Sequence, residues 1–287
     1  MTHRLLSLVA VGLLASLAAC GDGETNVAPT TSVAPTTAEE QPSSDVEPFP
    51  TGEPVDLVYI SDSGGWGVAE RYAELASEAL GREVRLHDHR IGGMSMSGVL
   101  ALVRGSLADE VAEAEIIVLY AQPRGLEYNL PQPNILTCFE ALDALEESTS
   151  TLEWDPPVVP LAEDWQPYRD VLDEVYGEIW RLREGRPVVL RAHDIYNGFI
   201  APWRELGIEP ECTANWEVEM QVIREAAEAN GAVFVSFFDV FNGSEHDKDP
   251  REKGWIQDDG MHANDEGGSV AAEALAAVGF RVSEPPS

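Results

Sequence analysis

The chain has 287 residues, 44% of them hydrophobic, and its 51 acidic and 18 basic residues give a formal net charge of −33. A nucleic-acid-binding surface is excluded, because it needs clustered Lys and Arg. An anionic membrane surface also repels a chain of this charge. We interpret the acidity as a solvated surface rather than as a docking site for a cationic partner.

The first 20 residues have the parts of a bacterial lipoprotein signal. Arg4 supplies a positive charge, residues 5–14 are apolar, and small residues stand directly before Cys20. The apolar stretch is too short to span a membrane comfortably as a helix. We expect residues 1–20 to be removed and Cys20 to be lipidated, which anchors the protein outside the cytoplasm on the bacterial cell membrane. An ordinary secretory signal is the alternative.

Residues 21–54 differ from the rest of the chain in composition. Thr, Pro, Ser, Glu and Ala dominate there, and Pro-Thr-Thr occurs twice. Such a segment buries too little apolar surface to offset the entropy of ordering it. We expect a disordered, semi-extended tether. One folded domain is then expected at residues 55–279, followed by a polar tail at 280–287.

Short apolar segments alternate with helical periodicity along this domain. Strands are expected at residues 55–60, 83–86, 115–121, 187–192 and 232–238. Helices are expected at 68–80, at 97–103 with Ser97 as N-cap, and at 170–182, 216–230 and 263–278. Strands without polar alternation, separated by helices, indicate a parallel sheet covered on both faces. The fold class is therefore α/β, a flavodoxin-like three-layer α/β/α sandwich around five parallel strands.

A long connection at about residues 123–166 interrupts this alternation. Connections of this length are usually functional or disordered, and we expect this one to form a cap beside the pocket. If Cys20 is lipidated, Cys138 and Cys212 remain as an even pair in an exported protein. A disulfide between them is expected, which pins the connection to the loop at Cys212.

A serine follows the first expected strand on a glycine-rich turn. The sequence Ser63-Gly64-Gly65 lets the backbone approach a substrate closely, and the next helix directs its positive N-terminal end toward this turn. A serine hydroxyl becomes a good nucleophile only when a base takes its proton. Taken alone, the turn is more typical of a capping serine.

An acid and an imidazole stand three residues apart before the last expected helix. On a tight turn the Asp259 carboxylate can bind the Nδ1–H of His262, which leaves Nε2 free as a base. Asp258 is the alternative acid. A lone Asp-x-x-His is also typical of a helix start with capping acids. In combination with Ser63, it indicates a Ser63-His262-Asp259 nucleophilic site.

Both segments resemble signature blocks of the SGNH/GDSL hydrolases. The sequence Ile60-Ser61-Asp62-Ser63 is similar to the GDS block, with Ser61 in place of Gly. The sequence Asp259-Gly260-Met261-His262 is similar to the Asp-x-x-His block. The resemblance covers about residues 55–279, although only these two end blocks are specific.

Two further blocks of the family lie between these ends. Gly93, with Gly92 as the alternative, aligns with the glycine whose N–H binds the oxyanion. Where the family has Gly-Asn, this chain has Ala121-Gln122, so the amide comes from a longer side chain. The resemblance implies an oxyanion hole made of the N–H groups of Ser63 and Gly93 and the Gln122 amide.

The resemblance implies a serine esterase that needs no metal and no other cofactor. Its substrate would be an ester, with an acyl or acetyl group on a carbohydrate or small molecule. The alternative is a catalytically weak or inactive binding module on the same fold, since Ser61 and Gln122 depart from the family pattern.

Other polar and aromatic residues are weaker candidates for a site. His87 and His89 are not expected to bind a metal, and His193 is expected near the site but not as a second base. Trp66 either lines the pocket or belongs to the core. A further group of tryptophans forms either a sugar-stacking wall or, more commonly for Trp, buried packing: Trp154, Trp165, Trp203 and Trp216.

Overall fold

The computed structural model describes Phe49, Cys138, Phe139, Ala141, Leu142 and residues 52–122, 158–159 and 161–286. The expected signal peptide, Cys20, nearly all of the expected tether and most of the connection at 123–166 lie outside these residues. Phe49, within the expected tether, is buried against the core. No helix in the described ranges is long and apolar enough to cross a membrane.

The described ranges form an alternating series of strands and helices. The strands are β1 (Val55–Ser61), β2 (Val84–Arg90), β3 (Ile116–Leu119), β4 (Val189–His193) and β5 (Val233–Val235). The helices are α1 (Ala69–Leu80), α2 (Met96–Arg104), α3 (Ala108–Glu113), α4 (Gln166–Arg183), α5 (Ile200–Leu206), α6 (Glu209–Ala229), α7 (Phe237–Asn242) and α8 (Asp265–Ala277).

The strands form one parallel sheet in the order β2-β1-β3-β4-β5. Helices α1 and α8 pack together, and α4 packs with α2, α3 and α6, so that helices cover both faces. Every residue of β3 and β4 is buried. Burial on both faces explains why β3 is continuously apolar, whereas β4 also buries the polar side chains of Arg191 and His193. The expected three-layer sandwich is confirmed. Its parallel strands bring the loops that follow them to one edge of the sheet.

Two element boundaries differ from the sequence-based expectation because serine side chains cap helices. The strand expected at 232–238 stops at Val235, since Ser236 Oγ accepts a hydrogen bond from Asp239 N at 3.0 Å and starts α7. Helix α2 is capped by Ser95 instead of Ser97, because Ser95 Oγ accepts from Gly98 N at 3.2 Å. A capping hydroxyl satisfies a helix N–H group that has no partner within the helix.

Other elements are longer than expected or were not expected. Strand β2 continues to Arg90, because its backbone pairs with β1 as far as Ser61. Helix α6 begins at Glu209, with a proline in its first turn, rather than at residue 216. The short helices α3, α5 and α7 were not expected. Six or seven residues of helical pattern are too few to distinguish a helix from a loop.

The expected Cys138–Cys212 disulfide is present, with 6.0 Å between the two Cα atoms. Cys212 lies in the first turn of α6 rather than in a loop. Next to Cys138, Phe139 packs edge-on against three aromatic rings of α5, α6 and the residue before α5: Phe199, Trp203 and Trp216. The disulfide therefore joins the described part of the connection to α6.

The tryptophans considered as a sugar-stacking wall are mostly core residues. Trp165, Trp203 and Trp216 are all buried, which is the packing alternative. Trp154 lies outside the described residues.

Candidate active site

The turn after β1 places Ser63 in a pocket wall. The chain leaves the sheet at Ser61 and forms a 3-10 turn over Ser63–Gly65, capped by Asp62, whose Oδ1 accepts from Gly64 N at 2.7 Å. Both glycines are buried. A Cβ at Gly64 would lie 2.5 Å from Ile195 Cδ1, and one at Gly65 would lie 2.7 Å from the Ser61 hydroxyl. A side chain at either position would therefore force its neighbours to move, which favours glycine in this turn.

Arg90, at the end of β2, supports this turn from outside the pocket. Its Nη1 donates to the carbonyl oxygen of Gly65 at 3.0 Å. Its Nε and Nη2 donate to both carboxylate oxygens of Asp88, and Nη2 also donates to Glu70 of α1. One guanidinium thus ties the Ser63 turn to β2 and to the start of α1. Arg90 was not among the residues expected at the site.

Asp259 and His262 form a hydrogen-bonded pair. Asp259 Oδ2 is 2.6 Å from His262 Nδ1, and Asp259 Oδ1 accepts from the backbone N–H groups of Met261 and His262 at 2.9 and 3.0 Å. No hydrogen bond joins Asp258 to His262 in the described part of the chain. Burial alone would raise the pKa of Asp259, but the hydrogen bonds from His262 and the two backbone amides lower it to about 2.

The turn that carries this pair is fixed by side chains from two other segments. Arg251 Nη2 donates to the carbonyl oxygen of Gly260 at 2.8 Å, and the Tyr196 hydroxyl donates to that of Met261 at 3.1 Å. Gly260 has φ +71°, and a Cβ there would lie 2.7 Å from Arg251. Asn264 caps α8 by accepting from two amides of its first turn. The turn is therefore held rigidly in front of α8.

Ser63 and His262 line the same cavity of about 310 Å³. The backbones of Ser95 and Gln122 form an isolated parallel bridge, which joins the loops after β2 and β3 across the end of β1. The segments that resemble the family blocks thus converge, although almost 200 residues separate the first from the last. The lining residues are Asp62, Ser63, Gly64, Trp66, Gly92, Gly93, Gln122, Ile195, Tyr196, Phe199, Met261 and His262.

No hydrogen bond joins the Ser63 hydroxyl to His262 among the residues that the structure describes. Catalytic hydrogen bonds often tighten only when substrate binds. Ser63 and His262 line the same cavity, whereas a nucleophile and its base act within hydrogen-bond reach.

Both glycines considered for the oxyanion hole line the cavity. Gly93 has φ +73°, which L side chains rarely adopt, and a Cβ there would meet no atom within 4 Å. Its conformation, not lack of space, therefore favours glycine. Gly92 lies beside Trp66, since a Cβ on Gly92 would be 3.8 Å from Trp66 Cζ2. Gln122 also lines the cavity, as the resemblance requires.

Trp66 lies in the pocket wall and not in the core. Its side chain is 43% exposed. The indole stacks on the His262 imidazole, with 4.8 Å between ring centroids and 28° between ring planes. Of the two places that the sequence left open for Trp66, the pocket wall and the core, the structure shows the pocket wall.

His193 lies behind the cavity as a buried, neutral residue. Its Nδ1 is 2.7 Å from the carbonyl oxygen of Asp194, which only accepts, so Nδ1 carries the proton. Nε2 then accepts from the Tyr59 hydroxyl at 3.0 Å. Burial lowers the pKa of His193 to about 4, and its ring stacks between Tyr120 and Phe237. His193 is at the expected strand end but does not line the cavity.

The two histidines of β2 interact with carboxylates at the sheet edge. His87 and His89 are two residues apart in the strand, so they share one face, and both contact Glu110 Oε2, at 3.3 and 2.6 Å. His87 Nε2 also lies 3.0 Å from Asp56. In the described ranges, no group of three or more His, Cys, Asp or Glu residues could hold a metal ion.

The apolar wall of the cavity was not predicted from the sequence. Ile195, Tyr196 and Phe199 come from the segment between β4 and α5. Their position directly after a strand was the available signal, because that segment must reach the same sheet edge as Ser63.

No family model matches the chain, and no curated protein matches it. Solved structures do match. The lipase Lip_vut3 from a goat rumen metagenome has a TM-score of 0.53 at 17% identity, covering 79% of this chain and 98% of that chain. A variant of Axe2, an acetyl xylan esterase from Geobacillus stearothermophilus, has a TM-score of 0.51 at 15% identity, covering 79% of this chain and 95% of that chain.

A third solved structure has the same fold. LAE5, an alpha/beta hydrolase enzyme from the metagenome of Lake Arreo, Spain, has a TM-score of 0.50 at 19% identity, covering 80% of this chain and 96% of that chain. The chain shares its α/β fold with these lipase, hydrolase and esterase structures. The fold that the sequence blocks implied is therefore confirmed. At these identities the likeness establishes the fold alone, and the function has to be argued from the site.

Proposed function

We propose that this protein is a serine esterase in which Ser63 is the nucleophile, His262 the base and Asp259 the residue that orients it. The observation that carries the proposal is the 2.6 Å contact between Asp259 and His262 on the wall of the cavity that Ser63 also lines. The Asp–His contact is that of a Ser-His-Asp site, and the shared cavity supports Ser63 as the nucleophile.

The proposed reaction proceeds in two acyl transfers. Ser63 Oγ attacks the ester carbonyl carbon while its proton passes to His262, and Asp259 stabilises the imidazolium that forms. The tetrahedral intermediate collapses, the C–O bond to the alcohol breaks, and His262 gives its proton to the departing alcohol. Water then attacks the acyl-serine with His262 again as base, which releases the carboxylic acid and restores Ser63.

The developing oxyanion is proposed to bind the N–H groups of Ser63 and Gly93 and the amide of Gln122. Such donors act most strongly when they are fixed before the reaction starts. The capped turn at Ser63 and the bridge between Ser95 and Gln122 support this, because they restrain two of the three donors. Gly92 remains the alternative to Gly93.

The substrate is proposed to be an ester of a carbohydrate or a small molecule, with a short acyl or acetyl group. Matching structures include an acetyl xylan esterase and a lipase, and the cavity of about 310 Å³ is at the small end for ligand sites. The lipoprotein signal at residues 1–20 supports a location outside the cytoplasm, with the protein anchored to the membrane through Cys20.

The test is turnover of p-nitrophenyl acetate by the full-length chain and by the Ser63→Ala variant. We expect Ser63→Ala to lower kcat by at least about 10⁴-fold, because the covalent route is lost. Ser269→Ala is the matched control, since its hydroxyl bonds the Asp265 carbonyl of α8, away from the cavity. Equal turnover by the wild type and Ser63→Ala would refute the proposed nucleophile.

A non-catalytic binding module is the second candidate. Gln122 in place of Asn and the missing hydrogen bond between Ser63 and His262 favour it. A fluorophosphonate probe distinguishes the two, because it labels only an activated serine. Labelling that disappears in Ser63→Ala supports the esterase. Absence of labelling in the wild type, together with measurable binding of esters, supports the binding module.

A further inference from the structure

Large apolar side chains are exposed around the mouth of the cavity. Trp66 is 43% exposed, Ile91 51% and Met261 41%. Trp66 and Met261 line the cavity, and Ile91 directly precedes the lining residue Gly92. The three come from three separate segments, after β1, after β2 and before α8. Exposed apolar residues in or next to the segments that line one cavity of a highly charged protein indicate a contact surface, and we call these three residues the apolar rim.

The apolar rim lies where the alcohol part of an ester has to bind. In the proposed mechanism, His262 gives its proton to the departing alcohol oxygen, so the alcohol must be next to the imidazole. Trp66 stacks on that imidazole at 4.8 Å and still exposes nearly half of its side chain. Met261 directly precedes His262 in the chain. The surface beside the leaving group is therefore aromatic and aliphatic.

The cavity provides no cation for a negatively charged substrate. None of its described lining residues is Lys or Arg. Two arginines contact the segments that line the cavity, and both already have partners. Arg90 binds the Gly65 carbonyl and two carboxylates, and Arg251 binds the Gly260 carbonyl. The chain carries a net charge of −33. An anionic ester would thus lose hydration without gaining a paired charge.

The aliphatic part of the apolar rim offers a sugar alcohol no hydrogen-bond donor. Sugar hydroxyl groups need hydrogen-bond partners when they leave water. Ile91 and the thioether of Met261 offer no donor, and the Tyr196 hydroxyl donates to the Met261 carbonyl. An apolar planar group, in contrast, gains from contact with an indole face.

We propose that the site selects small uncharged esters whose alcohol part is apolar and planar, and that this part lies on Trp66 in the apolar rim. The inference rests on the proposed esterase function, because the mechanism defines which side of the ester faces His262. Of the two substrate classes proposed above, it selects esters of small molecules over esters of carbohydrates.

The experiment compares kcat/KM of the full-length chain for four acetates: benzyl acetate, ethyl acetate, 4-carboxybenzyl acetate and methyl 6-O-acetylglucoside. We expect benzyl acetate to exceed the carboxylated and the sugar ester by at least about 10-fold. Added salt should reduce the difference in kcat/KM between benzyl acetate and 4-carboxybenzyl acetate, because it screens the long-range repulsion between the carboxylate and the acidic protein.

The Trp66→Ala variant isolates the stacking contribution. The ratio of kcat/KM for benzyl over ethyl acetate should fall by about 10-fold, and Trp66→Phe should retain most of it. Loss of the stack on His262 affects both esters, so the ratio cancels that effect. The matched control is Leu161→Ala, an apolar side chain that is 63% exposed and lines a separate cavity. Its ratio should stay at the wild-type value.

An unchanged ratio in Trp66→Ala, or a preference for the sugar or carboxylated ester, would overturn the inference while leaving the esterase function intact. Binding to Ser63→Ala, followed by saturation-transfer NMR, separates the two proposals if no acetate is hydrolysed. If Ser63→Ala binds benzyl acetate preferentially and the Ser63→Ala/Trp66→Ala double variant does not, the inference is supported even though the esterase proposal fails. Equal binding of benzyl acetate and the acetylglucoside would overturn the inference.

Discussion

Replacing Asp259 by Asn removes the negative charge beside His262 while keeping the shape of the side chain. Asp259 Oδ1 accepts two backbone N–H groups, of Met261 and His262. An Asn would keep its carbonyl oxygen on these donors and turn its NH₂ group toward His262 Nδ1. The imidazole would then carry its proton on Nε2, and Nε2 could no longer accept the proton of Ser63.

The size of the effect follows from the charge that His262 gains during the reaction. Two unit charges about 4 Å apart attract each other by about 1 kcal/mol in water and about 4 kcal/mol at an effective dielectric constant of about 20. The Asp259 side chain is 45% exposed, so about 2–3 kcal/mol applies, which is a factor of about 30 to 150 in kcat. The wrong tautomer adds to this loss. We expect kcat to fall by at least about 100-fold.

The assay is the initial rate of hydrolysis of p-nitrophenyl acetate at saturating substrate. Asp258→Asn is the matched control, because it removes the same charge from the neighbouring residue, which has no hydrogen bond to His262 in the described part of the chain. We expect Asp258→Asn to stay within about 2-fold of the wild type. If Asp259→Asn kept wild-type kcat, or if the large loss occurred in Asp258→Asn instead, the assignment of the acid would be wrong.

Three further predictions follow from the same contacts. Gln122→Ala should lower kcat by about 10²- to 10³-fold if the amide is an oxyanion donor, and an unchanged kcat in steady-state assays would remove Gln122 from the hole. Reducing the Cys138–Cys212 disulfide, which joins residues 74 apart, should lower the free energy of unfolding by about 4 kcal/mol in urea titrations; a loss below about 1 kcal/mol would contradict this. The folded-state pKa of Asp259 is about 2, below its ordinary 3.8, so its stabilising contribution is full above about pH 4 and is lost as pH falls toward 2. The difference in free energy of unfolding between the wild type and Asp259→Asn should therefore shrink as the pH falls from about 4 toward 2. A difference that stays constant over that range would refute the stabilising role of the Asp259 carboxylate.

Local sequence patterns predicted the fold and the ends of the site. Strands of a parallel sheet buried on both faces lack regular polar alternation, and the strands were recognised for that reason, with β3 continuously apolar. Ser63 and the Asp259–His262 pair lie on tight turns whose residue types are visible in the sequence. Gly64 and Gly65 are needed because a Cβ at either position would clash.

The tertiary structure decided which residues meet. The choice of Asp259 over Asp258 depends on backbone direction in a turn, which residue type alone does not give. Arg90 and Phe199 were missed because their roles depend on segments distant in the sequence. Trp66 could have been core or pocket wall, since an indole is equally suited to both. Its place was set by the stack on His262, almost 200 residues away. Composition and periodicity determine which elements form, because these depend on neighbours along the chain, whereas the site depends on contacts that exist only once the sheet has brought the strand ends together.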